Sequence, residues 1–452
     1  MKPSYYNFIW PTDDPGKAMI FNSITTSLVE APTSNISLLE GPPFDYDSLP
    51  TGAKRFVDAL KAGGFVLDDA TDELSTLKFA VNARKYDCNR LELTIAPTLR
   101  CNFSCEYCYE QTGDAQHRRD GRHAVMPPAV RKALLKLIEQ RARRVKKMSV
   151  IWFGGEPLLE TSVIVELSQE IIRIAERNGV SYEAGMITNG YLFHRDPDII
   201  RKLKNSRISF FQITLDGPPD IHNLRRKLKN DDGPTFEPIM ESAKLLAKNG
   251  MQVNVRINVD RSNAAQALDL LKMLEVDYEK GLTVHLGRVM DQAKTRCSAA
   301  NACPTMQEFS QVNQTFERRL HQGGSKPDPS LHYPRCINVC SANGLSTLVI
   351  DPDGDVYKCW TAIGEKSARV GNVLDFENRS QEEMAREIKW ITWEPFENPD
   401  CKACKVLPIC LGGCPYGPIL NGEDHECAEW KYGLEYYVRA RYEREKARQA
   451  AS

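Results

Sequence analysis

The sequence has no long apolar run and no excess of charge of either sign. Neither its first residues, MKPSYYNFIWPTDD, nor any later stretch has the ~18 apolar residues of a membrane-spanning helix, and the start is too polar for a signal peptide. Lys and Arg total 59 against 60 Asp and Glu, so bulk charge attracts neither nucleic acid nor an anionic membrane. These absences predict a cytoplasmic protein with neither of those partners.

The sequence also has no cluster of histidines and no internal repeat, but it contains 14 cysteines. Disulfides are rare in the reducing cytoplasm, so the clustered spacing of these cysteines indicates metal ligation or thiol chemistry. At 452 residues and 42% hydrophobic content, the chain is long enough for two or three globular domains.

The middle of the chain alternates apolar strands with amphipathic helices from Leu91 onward. Helical spacing is clear at Val130, Leu134 and Leu137, for example. Six strand–helix units predict an α/β fold with a parallel sheet, a partial (β/α)6 barrel whose chemistry sits at the strand C-termini. The predicted strands are LELTIAP, MSVIWFGG, EAGMITNG, RISFFQITLDG, VNVRINV and TVHLGRV.

Two regions flank this core. Residues 1 to about 85 show three short strands and then two helices, whereas a Cys-rich region follows the linker GGSKPDPS at 323–330. The chain then has a charged helix, Glu435–Arg448, which the charge pattern predicts to be a solvated surface helix. We therefore predict three domains, at residues 1–88, 89–325 and 326–452.

Directly after the first barrel strand, RCNFSCEYCYE places Cys101, Cys105 and Cys108 in C-x3-C-x2-C spacing. Three thiolates so close in sequence can hold a cubane 4Fe–4S cluster and leave the fourth iron without a protein ligand. The alternative is a zinc site or buried thiols. A three-Cys zinc site needs a fourth ligand, for which the following loop offers His117 or His123.

This triad resembles the signature of the radical S-adenosylmethionine (SAM) superfamily, in which SAM chelates the open iron. FGGEP, after the second strand, resembles the family segment that contacts the amino group of SAM, with Glu156 available to bind the ammonium. TNG and TLDG follow strands three and four, where relatives bind the ribose or carboxylate, although both are also common turn or cap sequences. The resemblance implies these SAM contacts: Tyr107, Gly154, Gly155, Glu156, Pro157, Thr188, Asn189, Thr214 and Asp216.

A second cysteine array lies in the C-terminal region, in the patterns C-x13-G-x4-C and C-x2-C-x5-C-x3-C followed by one more Cys. Spacing alone also fits a zinc ribbon, but seven cysteines exceed one tetrahedral zinc site. The array resembles the SPASM domain of radical SAM enzymes that modify peptides, over residues 336–430. The resemblance implies Cys336, Cys340, Cys359 and Cys414 as ligands of a first auxiliary 4Fe–4S cluster, and Cys401, Cys404, Cys410 and Cys427 as ligands of a second.

Several neighbouring residues refine this interpretation. Relatives differ in whether the first auxiliary cluster has an open iron, and the sequence leaves open whether Cys336 is a ligand. IDPDG at 350–354 is predicted to be a hairpin turn that shapes the cluster loop. Trp360 stands where sulfatase-maturing relatives have an aspartate proposed as a base, which counts against sulfatase maturation. Cys88, Cys297 and Cys303 are interpreted as buried or inert thiols.

The N-terminal segment resembles the winged-helix-like precursor-peptide recognition element of ribosomal peptide natural product pathways. The matching stretches are YNF, FNSITTSLVE and GGFVLDD. In that fold the leader peptide adds a strand to an exposed sheet edge. A module that only caps the barrel is the alternative interpretation.

Together the resemblances imply a peptide-modifying oxidoreductase that cleaves SAM to 5′-deoxyadenosine and methionine. They imply three 4Fe–4S clusters, a ribosomal precursor peptide as substrate, and an external electron donor such as flavodoxin or ferredoxin. The expected reaction is oxidative thioether formation through a 5′-deoxyadenosyl radical, as in sactipeptide and ranthipeptide maturases.

Other products and other classes of protein remain open at this point. A carbon–carbon, cyclophane-type cross-link is the nearest alternative, and epimerisation is disfavoured because it needs no net oxidation. A non-catalytic iron–sulfur electron carrier and a zinc-dependent peptide-binding protein are the alternatives from other classes. The sequence identifies neither the peptide, nor a catalytic acid or base, nor the oligomeric state.

Overall fold

The computed structural model describes residues 1–109, 123–230, 233–290, 302–322, 325–326 and 333–451. Its N-terminal part is a small antiparallel sheet with strand order β2-β3-β4, next to the short pair β1 and β5. The three longer strands lie where the sequence predicts strands. The bounds are β1 (Lys2–Pro3), β2 (Asn7–Pro11), β3 (Lys17–Asn22), β4 (Leu28–Pro32) and β5 (Val66–Leu67).

Two helices follow this small sheet, and the first of them covers one of its faces. The helix Thr51–Ala62 buries Val57 and Leu60 in a cluster that includes Ile20 of β3. The next helix, Glu73–Lys85, begins at Asp72, whose carboxylate accepts a hydrogen bond from the Ser75 amide at 3.0 Å. This is an ordinary N-cap, and it explains why the predicted helix starts there.

The centre of the molecule is a sheet of six parallel strands. They are hydrogen-bonded in the order β11-β10-β9-β8-β7-β6, so each strand lies beside its neighbour in sequence. This arrangement confirms the predicted parallel α/β fold and places the loops after all six strands at one edge of the sheet. The strands are β6 (Arg90–Ile95), β7 (Lys147–Trp152), β8 (Ser181–Thr188), β9 (Ile208–Thr214), β10 (Gln252–Val259) and β11 (Leu282–Arg288).

Three further strands extend this sheet beyond β6. They are β12 (Thr347–Ile350), β13 (Asp355–Tyr357) and β14 (Gly371–Asn372), and β12 runs parallel to β6. The Cys-rich region is therefore joined to the barrel by main-chain hydrogen bonds, including Ala96 N to Ile350 O at 2.9 Å. The sequence analysis did not predict this shared sheet, because strands of four, three and two residues are too short to show a period.

The turn between β12 and β13 is the predicted hairpin. Gly354 adopts φ +80°, a left-handed conformation that favours glycine. The Asp351 carboxylate is fully buried and accepts hydrogen bonds from the amides of Asp353 and Asp355, both at 2.9 Å, and from the Tyr357 hydroxyl. This buried carboxyl therefore organises the turn.

We expect Asp351 to make the stability of this region depend on pH. Burial, with a further contribution from the neighbouring Asp355 and Asp353, raises the pKa of its carboxyl to about 7. The folded pKa exceeds the unfolded value, so the stabilisation is present below pH ~4 and is lost as pH rises through 7. We expect the free energy of unfolding of the wild type to fall by about 2–4 kcal/mol between pH 5 and pH 8. Asp351→Asn mimics the protonated form, so this fall should be absent in the variant. Urea unfolding at both pH values measures the difference, and an equal loss in the variant would contradict the prediction.

The prediction of a solvated C-terminal helix is wrong. The helix spans Trp430–Ala451, and its residues Leu434, Val438 and Tyr442 pack against Met19 and Phe21 of β3. These three side chains are four residues apart and form one apolar stripe. The many Arg, Lys and Glu residues around them give the helix a charged composition, so the stripe is not evident from composition alone. The helix thus covers the second face of the N-terminal sheet.

The remaining helices lie both around the central sheet and in the flanking regions, where Ser37–Glu40 packs with the N-terminal sheet and Leu407–Cys410 with the C-terminal helix. No helix within the described residues is both long and apolar enough to span a membrane. Their bounds are Ser37–Glu40, Pro128–Ala142, Thr161–Arg177, Leu192–Arg195, Asp198–Asn205, Pro219–Arg225, Phe236–Lys248, Ala264–Ala267, Met306–Gln322, Gln381–Thr392, Pro399–Lys402 and Leu407–Cys410.

Candidate active site and cysteine arrays

The loop after β6 brings the three predicted cysteines together. Burial raises the pKa of the Cys101 thiol above its usual range, and the Glu156 carboxylate and the thiols of Cys105 and Cys108 raise it further. The same loop pairs with residues 227–229, through Ser104 N to Lys227 O at 2.8 Å and a matching bond from residue 229. The triad is therefore held against the segment that follows β9.

The donor set fits an iron–sulfur cluster. Within the described residues, no three His, Cys, Asp or Glu side chains are placed to hold a single metal ion. His117 lies outside the described residues, and His123 contacts the Asp353 carboxylate, with Nδ1 and Oδ1 2.6 Å apart. The ligands of a cubane bind different irons, so they need not converge on one point. Three thiols in one loop, one of them buried and two half-buried, suit such a cluster, because cluster binding stabilises the thiolate form.

The two glycines of FGGEP lie directly against the triad loop. A Cβ on Gly154, whose φ is +115°, would lie 2.2 Å from the Thr98 carbonyl oxygen, and a Cβ on Gly155 would lie 2.4 Å from that of Arg100. The next amide, Glu156 N, donates to Arg100 O at 2.8 Å. Only glycine permits this approach, which places the segment beside Cys101.

Glu156 joins the loops after β7 and β8. Its carboxylate is fully buried and accepts hydrogen bonds from Leu158 N at 2.9 Å, Thr188 Oγ1 at 2.7 Å and Asn189 N at 2.8 Å. Burial raises the pKa of this carboxyl. The predicted role of Glu156 is to bind the SAM ammonium, and within the protein its carboxylate holds Leu158, Thr188 and Asn189 in position.

The Asn189 side chain lies beside the triad. Its amide nitrogen donates to Asn102 Oδ1 at 2.8 Å and lies 4.0 Å from Cys101 Sγ, while its oxygen accepts from Tyr191 N at 3.0 Å. This predicted SAM contact is therefore beside the triad, at the edge of the sheet where the strands end.

A buried polar network ties the triad loop to β9 and β10. The Tyr107 hydroxyl donates to the Asp216 carboxylate and accepts from Arg226 Nη1 at 2.6 Å and Asn258 Nδ2 at 3.2 Å. Asp216 is fully buried, two residues after Thr214 at the end of β9, and Arg225 Nε lies 3.6 Å from its carboxylate. Tyr107 and Asp216, two of the predicted SAM contacts, thus bind each other and neighbouring protein side chains.

Sequence reasoning missed Arg225, Arg226 and Asn258. The Arg225 guanidinium lies over the Tyr107 ring at 5.1 Å, and that of Arg226 lies over the Phe103 ring at 5.7 Å. The available signal was the Arg pair itself, shortly after TLDG. Adjacent arginines in a buried segment require acidic or aromatic partners.

The C-terminal cysteines form two separate groups. Loss of water around the Cys340 sulfur raises the pKa of this thiol to about 12, and the Cys359 and Cys414 thiols add to the effect. Burial likewise raises the pKa of Cys401 to about 11, with contributions from the other three members of its group, Cys410, Cys427 and Cys404. The structure therefore brings together seven of the eight cysteines that the resemblance implied, in two sets.

The structure does not place Cys336 with Cys340, Cys359 and Cys414, the group to which the resemblance assigned it. The side chains of Cys336 and Cys401 both pack against the apolar cluster that includes Phe396 and Leu407, and Ile337 N donates to Pro408 O at 3.0 Å, within the loop of the second group. Burial raises the pKa of the Cys336 thiol to about 11. It thus neighbours the second group, although the resemblance assigned it to the first.

The remaining cysteines differ in their surroundings. Cys303 and Cys414 line one cavity of about 390 Å³ at the end of β11. Cys88 is exposed and donates to Tyr86 O at 3.4 Å, whereas Cys297 lies outside the described residues. Of the two alternatives given for Cys88, a buried or an inert thiol, its exposure contradicts the first.

Trp360 links the first C-terminal group to the FGGEP segment. It follows Cys359 and stacks on Phe153, with ring centroids 6.1 Å apart and 26° between the planes. The ring is 43% exposed. One face of this indole therefore covers the loop beside the triad, and part of the ring stays open to solvent.

The fold and this site define a class of catalytic domain. Residues 95–274 match the sequence profile described as the radical SAM superfamily. This segment is therefore a radical SAM domain, which implies a 4Fe–4S cluster and SAM.

The chain is similar to several maturases. The cysteine-type anaerobic sulfatase-maturating enzyme of Clostridium perfringens (strain 13 / Type A) is 25% identical over 340 residues, covering 72% of this chain and 88% of that protein. Mycofactocin maturase MftC of Mycolicibacterium smegmatis is 27% identical over 357 residues, covering 75% and 82%. Streptococcus suis SuiB, solved with its precursor peptide SuiA, shares the fold with a TM-score of 0.51 at 14% identity, over 95% of this chain and 98% of SuiB.

Proposed function

We propose that this protein is a radical SAM maturase that modifies a ribosomal precursor peptide. The observation that carries the proposal is the triad in the loop that follows the first of six parallel strands, together with two further cysteine groups in the C-terminal region, whose strands extend the same sheet. Maturases among the similar proteins, and the SuiB fold that extends over the N-terminal module, support it.

The groups that the chain would hold are three 4Fe–4S clusters and SAM. When bound, they supply electron transfer and hydrogen-atom abstraction, and the protein supplies binding and orientation. Cys101, Cys105 and Cys108 would hold the catalytic cluster, with the Gly154–Pro157 segment and Asn189 lining the SAM site. The C-terminal groups would hold the auxiliary clusters.

The reaction that we propose is oxidative formation of a thioether between a peptide Cys and a carbon of another residue. Trp360 supports a cross-link over sulfatase maturation, because its indole stands in the place of a proposed base. A carbon–carbon cross-link is the competing product. Mass spectrometry with thiol alkylation separates the two, since both remove two hydrogens but only the thioether consumes a Cys.

The first test is anaerobic reconstitution with iron and sulfide. We expect roughly twelve irons per chain, four for each cubane, and 5′-deoxyadenosine on addition of reductant and SAM. Cys105→Ala should lose about four irons and all 5′-deoxyadenosine. Cys88→Ala, at an exposed thiol, is the matched control and should behave as wild type. Four irons or fewer without SAM cleavage in the wild type would refute the proposal.

The N-terminal module would recognise the leader peptide at β4. Asn22 N bonds to Ser27 O at 3.0 Å, and hydrogen-bonded positions alternate along an antiparallel pair, so Leu28 and Glu30 point their main-chain groups away from β3. These groups form the edge to which an extended peptide can add a strand.

The opposite edge, at β2, is blocked. Lys405 Nζ donates to Asn7 O at 3.0 Å, Arg439 Nη1 donates to Pro11 O at 3.1 Å, and Pro11 has no N–H. The two edges of one small sheet therefore differ in their capacity to bind a peptide.

We expect Glu30→Pro to weaken leader binding about tenfold, because it removes an outward N–H from the open edge. Glu30→Gln keeps that N–H and should bind as wild type. Ile9→Pro makes the equivalent change at the blocked edge and should also leave binding unchanged. Fluorescence polarisation with the labelled leader of a short Cys-rich reading frame beside the gene measures this, and equal weakening at both edges would contradict the assignment to β4.

A further inference from the structure

We propose that Lys431 raises the reduction potential of the second auxiliary cluster. The inference rests on the proposed binding of that cluster by Cys401, Cys404, Cys410 and Cys427. Lys431 stands in the first turn of the C-terminal helix, and its Nζ lies 3.5 Å from Cys404 Sγ, within hydrogen-bonding distance for sulfur.

A second hydrogen bond reaches the same cysteine group from the same segment. Ala428 N donates to Cys410 Sγ at 3.4 Å. Ala428 directly follows Cys427, and Lys431 N in turn bonds to Ala428 O at 3.0 Å. The segment that leads from the last ligand into the helix therefore directs one amide and one ammonium at the sulfurs of two different ligands.

The helix holds Lys431 in place. Trp430 contacts Tyr437 edge-on at 5.1 Å, and Leu434 is buried against β3. A Cβ on Gly433 would lie 2.8 Å from Ser310 Oγ, which shows how closely the helix approaches its neighbour Met306–Gln322. The ammonium thus projects from a packed helix rather than from a loose terminus.

Nearby carboxylates do not cancel this charge at the sulfur. Glu429 accepts from Asn313 Nδ2 at 2.9 Å, and Glu426 pairs with Arg288. Asp400, beside Cys401, is exposed to solvent. Lys431 is exposed as well, so its effect depends on its hydrogen bond to the sulfur, a direct contact that water screens less than it screens the charge of a group without such a contact.

A cation and N–H···S bonds at cluster ligands favour the reduced cluster. One-electron reduction adds one negative charge, and donors at the sulfurs stabilise the more negative state. Cys414 of the first group instead faces both members of the Arg288–Glu426 ion pair, whose charges offset each other. Lys431 therefore gives the second auxiliary cluster a higher reduction potential than the first.

The test is a redox titration of the reconstituted full-length enzyme, followed by electron paramagnetic resonance. In Lys431→Met, the ratio of reduced to oxidised second auxiliary cluster at the wild-type midpoint should fall about tenfold, which is ~59 mV for one electron. The midpoint potentials of the other two clusters should stay unchanged. Lys431→Arg should retain the wild-type potential.

Lys402→Met is the matched control, because Lys402 has the same charge and lies between Cys401 and Cys404 in sequence but pairs with Glu397 at 3.5 Å. It should leave the potential unchanged. An unchanged potential in Lys431→Met at full iron content, or a shift of equal size in Lys402→Met, would overturn the inference alone. Loss of the cluster's iron from Lys431→Met would also overturn it, by making Lys431 structural. A wild-type chain without this cluster would overturn the proposed ligands together with the inference.

Discussion

We expect Gly155→Ala to abolish cluster binding at the triad and, with it, SAM cleavage. The added Cβ would lie 2.4 Å from Arg100 O and 2.5 Å from Leu99 O. Both neighbours are main-chain atoms of the residues that precede Cys101, so the clash cannot be relieved by rotating a side chain. Overpacking against fixed backbone costs about 3 kcal/mol.

The displaced loop carries all three ligands, so the result should resemble loss of a ligand. Iron should fall by about four per chain, and 5′-deoxyadenosine formation should fall at least ~100-fold, which corresponds to ~3 kcal/mol. Gly52→Ala is the matched control, because a Cβ there has no neighbour within 4 Å and the site is in a helix. An iron count in Gly155→Ala equal to that of Gly52→Ala would show that the loop tolerates the methyl group.

Arg226→Met should destabilise the same loop from the opposite side. Arg226 is 7% exposed, donates to the Tyr107 hydroxyl at 2.6 Å and covers the Phe103 ring. Its loss leaves the fully buried Asp216 carboxylate with a weaker set of partners. Breaking a buried ionic network costs about 3–5 kcal/mol.

Thermal unfolding of the reconstituted protein and its iron content measure this effect. Arg207→Met is the control, because Arg207 is 51% exposed and pairs with Glu176 on the surface, where an ion pair contributes ~0–1 kcal/mol. The thermal stability of Tyr107→Phe should lie between those of the two other variants, because this change removes one hydroxyl and leaves Arg226 beside Asp216. Equal stability of Arg226→Met and Arg207→Met would mean that the network does not hold the triad.

The central fold was predictable because its signals are local. Each of the six strands has ordinary length and carries buried apolar residues, which alternate with polar ones in strands such as QVNVRINV, and the triad and FGGEP follow the first two strands directly. Parallel strands bring their C-terminal loops to one edge, so loops distant in sequence become neighbours. Asn189 beside Cys101 is an example of a contact that follows from this rule.

The rest depended on tertiary contacts that have no local signature. Glu156 could equally face a ligand or neighbouring loops, and only the fold shows that three protein donors surround its carboxylate. Cys336 stands four residues before Cys340 in sequence, yet the next residue, Ile337, bonds to Pro408 O in the loop of the second group, and Cys336 packs against the same apolar cluster as Cys401. The apolar stripe of the C-terminal helix was concealed by charged neighbours in the same way.

The C-terminal helix also has a consequence for biosynthesis. Its contacts with the N-terminal sheet join residues 415 positions apart, as in the bond from Arg441 to Thr26 O. During translation the first sheet emerges early, but one of its apolar faces stays bare until this helix leaves the ribosome. Cys404 and Cys410 pack in that same cluster. The second cysteine group and this apolar face are therefore completed by the same C-terminal segment, and a chain that ends before residue 430 would leave part of the face exposed to water.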